Sequence, residues 1–110
     1  MPWWIAFVLT LVVEVPLWVW LLDAGGFGRR VILALGVNAV THPTLWWVAG
    51  GGVEGSVLVL MEVLIAVLEG VAAQLVCRPG WRVALLTSTA ANAASVLVGL
   101  LLMMWGSFAA

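Results

Sequence analysis

The chain has no lysine and no tyrosine, one cysteine, one histidine, and charged side chains at only 8% of its 110 positions. Each scarcity excludes something. Four arginines and a formal net charge of −1 rule out the concentrated basic face that nucleic-acid binding needs. Cys77 stands alone, so no intrachain disulfide can form and the redox compartment cannot be inferred. So little charge beside 65% hydrophobic residues does not suit a soluble domain of this size, which must cover itself with polar surface. Also missing are HExxH, a Walker loop, GxSxG, CxxC and the paired histidines of a bis-imidazole haem site.

What is present is apolar length. A helix needs roughly 20 mainly apolar residues to cross the hydrocarbon, and four stretches qualify: 3–22, 31–48, 55–76 and 83–105. Turn chemistry separates them at Asp23–Arg30, at Gly50–Gly52 and at Cys77–Arg82. The expected fold is an all-α, four-helix polytopic membrane protein, a single domain over 1–110. The N-terminus lacks a basic segment, carries Glu14 inside its apolar stretch and shows no clear small-residue cleavage site. It reads as a retained first span rather than a secretory signal.

All four arginines, Arg29, Arg30, Arg78 and Arg82, fall in the first and third loops. An even number of crossings separates those loops, so they share a side. The positive-inside rule makes that side cytoplasmic, a plasma (inner) membrane geometry with both termini outside. Tryptophan agrees: Trp3, Trp4, Trp46, Trp47 and Trp105 gather at the outer boundary, with Trp18, Trp20 and Trp81 near the inner one. Trp and Tyr favour such interfaces, and here Trp must supply both belts.

The halves share a pattern of rare letters. Glu14, Gly26-Phe27-Gly28-Arg29 and Asn38-Ala39-Val40-Thr41 are followed by Glu69, Gly80-Trp81-Arg82 and Asn92-Ala93-Ala94-Ser95. This order suggests two helical-hairpin repeats of parallel topology, related by an axis along the membrane normal.

Ionisable groups at membrane depth are costly and point to function by default. Glu14 lies mid-helix 1, Asn38 and His42 share a face of helix 2, and Glu62 and Glu69 share a face of helix 3. Ser88, Asn92, Ser95 and Gly99 form a stripe on helix 4. Glu14 and Glu69 come out about 12 and 11 Å above the inner ends of their helices, with Asn38 and Asn92 at about 11 and 14 Å. Two carboxyls and two carboxamides then form one ring near the midplane, with His42 and Glu62 roughly one turn further out. The structural alternative is that Asn92, Ser88 and Ser95 are packing glue among small residues, that Pro43 bends or ends helix 2 beside a neutral His42, and that neutral glutamates merely bond asparagines. No countercharge lies within the spans, so a functional cluster would hold protons, bind a cation or borrow a partner chain.

A chain of this length with four helices and a glutamate in helix 1 resembles the small multidrug resistance transporters. The resemblance implies that Glu14 exchanges protons for cationic drugs within a dimer. It covers length, helix count and that one residue. The tyrosines that family places around its glutamate are absent, and Glu62, Glu69 and Thr41-His42-Pro43 have no counterpart in it.

The leading expectation is a small membrane carrier or binding protein whose Glu14, Asn38, His42, Glu62, Glu69 and Asn92 cluster handles protons or a metal cation. His42 and Glu62 would be ligands of a divalent metal ion. The alternatives are an accessory subunit of a larger membrane complex and an intramembrane enzyme using Glu and His. Loops of about six to eight residues leave no lid, which weighs against catalysis. The partners expected are the lipid bilayer and either further copies or other membrane subunits.

Overall fold

The computed structural model describes residues 3–49 and 55–109. Among them the chain forms four helices: α1 (Trp3–Leu21), α2 (Phe27–Ala49), α3 (Gly55–Cys77) and α4 (Trp81–Ala109). The Gly-rich turn expected at Gly50–Gly52 lies outside the described residues. The first and third turns are shorter than expected, spanning only 22–26 and 78–80, because α2 and α4 begin earlier than their apolar letters do. Arg29, Arg30 and Arg82 are therefore helical, not loop, residues. A helix can carry arginine in its first turn as readily as a loop can, so hydropathy marks the edge of the apolar stretch and not of the helix.

Both described turns use left-handed backbone. Asp23 and Gly25 have φ of 57° and 77°, and Arg78 and Gly80 have φ of 54° and 104°. Glycine meets that geometry without a Cβ penalty. The second turn is also capped by side chain, as the Gly80 amide donates to Gln74 Oε1 at 2.9 Å. Of the two effects expected of Pro43, bending or ending α2, the second does not occur: the helix continues through Pro43 to Ala49, as α1 continues through Pro16.

The helices pack as a ring, α1 against α2 and α4, α3 against α2 and α4. The distribution of side chains is inverted relative to a soluble protein. Glu14, Asn38, Glu69, Thr87 and Ser88 are buried, while Val12, Ile32, Val40, Val59, Leu68 and Leu86 are exposed. An apolar exterior around a polar interior is what hydrocarbon solvent demands. Three helices have segments long and apolar enough to cross a membrane: Trp4–Leu21, Gly55–Cys77 and Trp81–Leu102. The chain is a membrane protein. α2 has the length, at 23 residues, but Arg29, Arg30, Asn38, Thr41, His42 and Thr44 lower its apolarity.

The tryptophan belts need one correction. Trp4, Trp20, Trp47 and Trp81 are exposed, as interfacial residues would be, but Trp18 is fully buried in the core with Leu22, Leu33, Ala34 and Ala73. Trp18 lies one turn from Glu14, so the helix face that turns the carboxyl inward turns the indole inward too.

The α3–α4 seam is the tightest. Ser88 Oγ donates to the Ala66 carbonyl at 2.5 Å, and a Cβ built on Gly70 would lie 2.7 Å from Leu85 Cδ2 and 3.2 Å from its Cα. Small residues here let two backbones approach, the usual basis of helix association in lipid. Replacing Gly70 by valine should cost about 1–3 kcal/mol through overpacking, read as a lower midpoint in a detergent unfolding titration. Gly36→Ala, whose Cβ meets nothing within 4 Å, should leave that midpoint unchanged or raised. Equal behaviour of the two variants would show that the seam is not a stability determinant.

Candidate functional site: a polar layer beneath an intramembrane cavity

Two buried carboxyls form the central layer, and each is held in the same way. Asn92 Nδ2 donates to Glu69 Oε1 at 2.6 Å, and Thr41 Oγ1 to Glu69 Oε2 at 2.9 Å. At Glu14 the corresponding side chains are Asn38 and Ser95, near enough to stabilise its carboxyl. Their own hydrogen bonds run to the Ala34 carbonyl and, at 3.4 Å, to Thr10 Oγ1. Each glutamate thus meets an asparagine from its own hairpin and a hydroxyl from the other. Glu14 has a third partner in Trp18, whose indole Nε1 lies 3.4 Å from Oε1, a long and weak bond. The two carboxyls are near enough to interact electrostatically.

The asparagines are themselves anchored alike. Asn38 Nδ2 donates to the Ala34 carbonyl and Asn92 Nδ2 to the Ser88 carbonyl, both at 2.8 Å and both one turn back along the helix. Burial follows the same register. Laying α1 on α3 so that Glu14 falls on Glu69 puts Trp18 on Ala73 and Leu22 on Cys77, all of them buried. Laying α2 on α4 so that Asn38 falls on Asn92 puts Leu33 on Thr87 and Ala34 on Ser88, again all buried.

Beyond this layer, toward the end of the bundle that holds both termini, lies a cavity of about 480 Å³. Glu14, Asn38, His42, Glu62 and Asn92 line it, together with Thr10, Thr41 and Ser95. All four helices contribute. Glu69 does not line it but bonds Asn92 and Thr41, which do. The remaining wall is aliphatic, from Leu9 and Val13 to Val96 and Leu100. An apolar chamber of this volume with a few convergent polar groups is the usual form of a small-molecule site.

His42 and Glu62 share the cavity but differ in setting. His42 is half-buried, its ring stacked on Phe7 with centroids 5.4 Å apart and planes at 29°. Glu62 is half-buried and interacts electrostatically with Glu69; among the described residues no side chain donates a hydrogen bond to its carboxyl. No three His, Cys, Asp or Glu side chains come together among the described residues to hold a metal ion. Zinc sites keep three protein ligands even when open, so His42 and Glu62 would need a further ligand to form one.

Sequence reasoning left out Thr41, Thr10 and Trp18, and read Ser95 as glue. A signal was present: Asn38-x-x-Thr41 and Asn92-x-x-Ser95 each place amide and hydroxyl on one helical face. No protein-family model matches the chain, and no curated protein or solved structure matches it either.

The bonding pattern ranks the side chains. Asn92→Ala or Asn38→Ala leaves a buried carboxyl short of its donor and should destabilise by about 1–3 kcal/mol. Thr41→Val and Ser95→Ala, each removing one interhelical hydroxyl, should cost about 0.6 kcal/mol. Steric-trapping measurements of unfolding in lipid would check the order, and hydroxyl losses exceeding the amide losses would contradict it.

Proposed function

We propose that the chain is a small membrane carrier or binding protein that crosses the bilayer four times and handles protons in the cavity between its helices. One observation carries this reading: Glu14, His42 and Glu62 line a single cavity of about 480 Å³ deep within an otherwise apolar bundle. A carboxyl kept only for packing has no need of a chamber beside it. Protons are favoured over a metal ion because carboxyls and imidazole exchange them singly, with no requirement for a complete ligand set.

Support for four crossings comes from α2, which matches α3 at 23 residues and whose Asn38, Thr41 and His42 side chains are buried or half-buried among its neighbours. Its polarity is then turned inward, where a spanning helix can carry it. The arginines of α2, the 78–80 turn and α4 would mark the cytoplasmic end. The shared environments of Glu14 and Glu69 support an internal duplication of one hairpin. The accessory-subunit reading draws nothing from these polar faces, since they meet within one chain.

Two measurements test this. In a Cys77→Ala background, Ser107→Cys should react with an impermeant thiol reagent on intact cells and Gly28→Cys should not; the reverse result inverts the topology. In lipid-reconstituted protein, infrared titration should show carboxyl bands that change with pH. Glu62→Gln and Glu14→Gln should each remove part of that change, and both together should lower proton uptake after a pH jump, with His42 and Glu69 remaining. Unaltered uptake in the double variant sinks the proton reading.

A further inference from the structure

The chamber is built on one side of a nearly two-fold frame. Under the hairpin superposition above, Ala6 corresponds to Met61, Thr10 to Ile65 and Gly99 to Leu45. At each pair the smaller residue stands on the α1–α4 side, and those three small residues line the cavity. A Cβ on Gly99 would meet nothing within 4 Å, so no packing contact demands glycine there. Val96, Leu100 and Leu102 form the α4 wall and are also exposed on the outside of the bundle. The chamber is therefore open beside α4, on a surface that faces lipid in a membrane.

The Asn–Glu layer beneath the cavity spends its donors on itself. Both N–H bonds of Asn92 are used, on Glu69 and on the Ser88 carbonyl, and Asn38 is likewise engaged with the Ala34 carbonyl and Glu14. The Thr41 hydroxyl serves Val37 and Glu69. What remains is acceptor capacity: among the described residues none donates to the amide oxygens of Asn38 and Asn92 or to the Glu62 carboxyl. A ligand that satisfies this floor must bring hydrogen, and one that fills the aliphatic wall must bring hydrocarbon.

We propose that the cavity takes a membrane-dissolved amphiphile with a hydrogen-bond-donating head, a long-chain amine or alcohol, admitted sideways past α4. The head sits against Glu62, Asn38 and Asn92, and the chain lies along Leu9, Val13 and Val96. This rests on the reading of the cavity as a binding site in a membrane protein, and adds the ligand's class and its route.

The test is photolabelling of the reconstituted protein with three diazirine-bearing probes of equal chain length: a primary amine, an alcohol and a methyl ester lacking any donor. Amine or alcohol should label α1 and α4 peptides saturably, with the ester weaker by about tenfold, the size of one matched hydrogen bond. Labelling by amine alone would mark a cationic head, and by both a neutral donor. Gly99→Leu, which installs the residue found at the equivalent position of α2, should fill the chamber and remove the saturable label while leaving the unfolding midpoint within error. Equal labelling by the ester on the unaltered protein overturns the proposal whatever the variant does. So does saturable labelling that survives in Gly99→Leu. Should the infrared titration persist while no probe labels the cavity, the proton reading stands and this ligand class falls.

Discussion

Everything in this bundle hangs on how two glutamates are kept inside it. An isolated carboxyl in hydrocarbon forfeits hydrogen bonds at a cost of several kcal/mol, so each must be matched within the protein. Glu69 is matched by Asn92 across its own hairpin and by Thr41 from the other, and Glu14 by Asn38 and Ser95 in the same sense. The asparagine fixes the register within each hairpin and the hydroxyl fixes one hairpin against the next. In lipid no hydrophobic driving force separates right from wrong helix pairings. A polar lock of this kind supplies specificity that apolar packing cannot.

The same lock explains why the interior tolerates a void. The α3–α4 seam is closed by Gly70 and the Ser88–Ala66 bond, and the polar layer joins all four helices at mid-depth. With those constraints in place, the end beyond the layer need not be packed to hold the helices in register. Small residues at Ala6, Thr10 and Gly99 can then leave space without loosening the whole.

Much of this was legible in the sequence, for physical reasons that differ between features. Helix number followed from apolar length, and the inward placement of Glu14, Asn38, Glu69 and Asn92 from the cost of presenting them to lipid. Helix starts were misplaced because Arg29, Arg30 and Arg82 interrupt hydropathy without interrupting backbone hydrogen bonding. Trp18 was misassigned because residue type suggested an interface, whereas its position one turn from Glu14 put it in the core. The cavity could not be read at all. It depends on which small side chains face one another across α1 and α4, and helix rotation enters no one-dimensional pattern.

The departures from two-fold likeness are where chemistry is to be sought. Both hairpins carry Glu, Asn and a hydroxyl, and these alone would give a closed, matched core. Phe7 and Glu62 occupy corresponding positions in the two hairpins, as do His42 and Val96. In the first hairpin the pair makes a ring stack; in the second both members, a carboxyl and an aliphatic side chain, line the cavity. Nothing in the frame requires that acid, since a phenylalanine fills the equivalent place. Removing it would relieve a desolvation cost without breaking a hydrogen bond from any described residue. Stability alone gives no reason for such a residue, which is why the proposed function turns on the cavity that Glu62 lines.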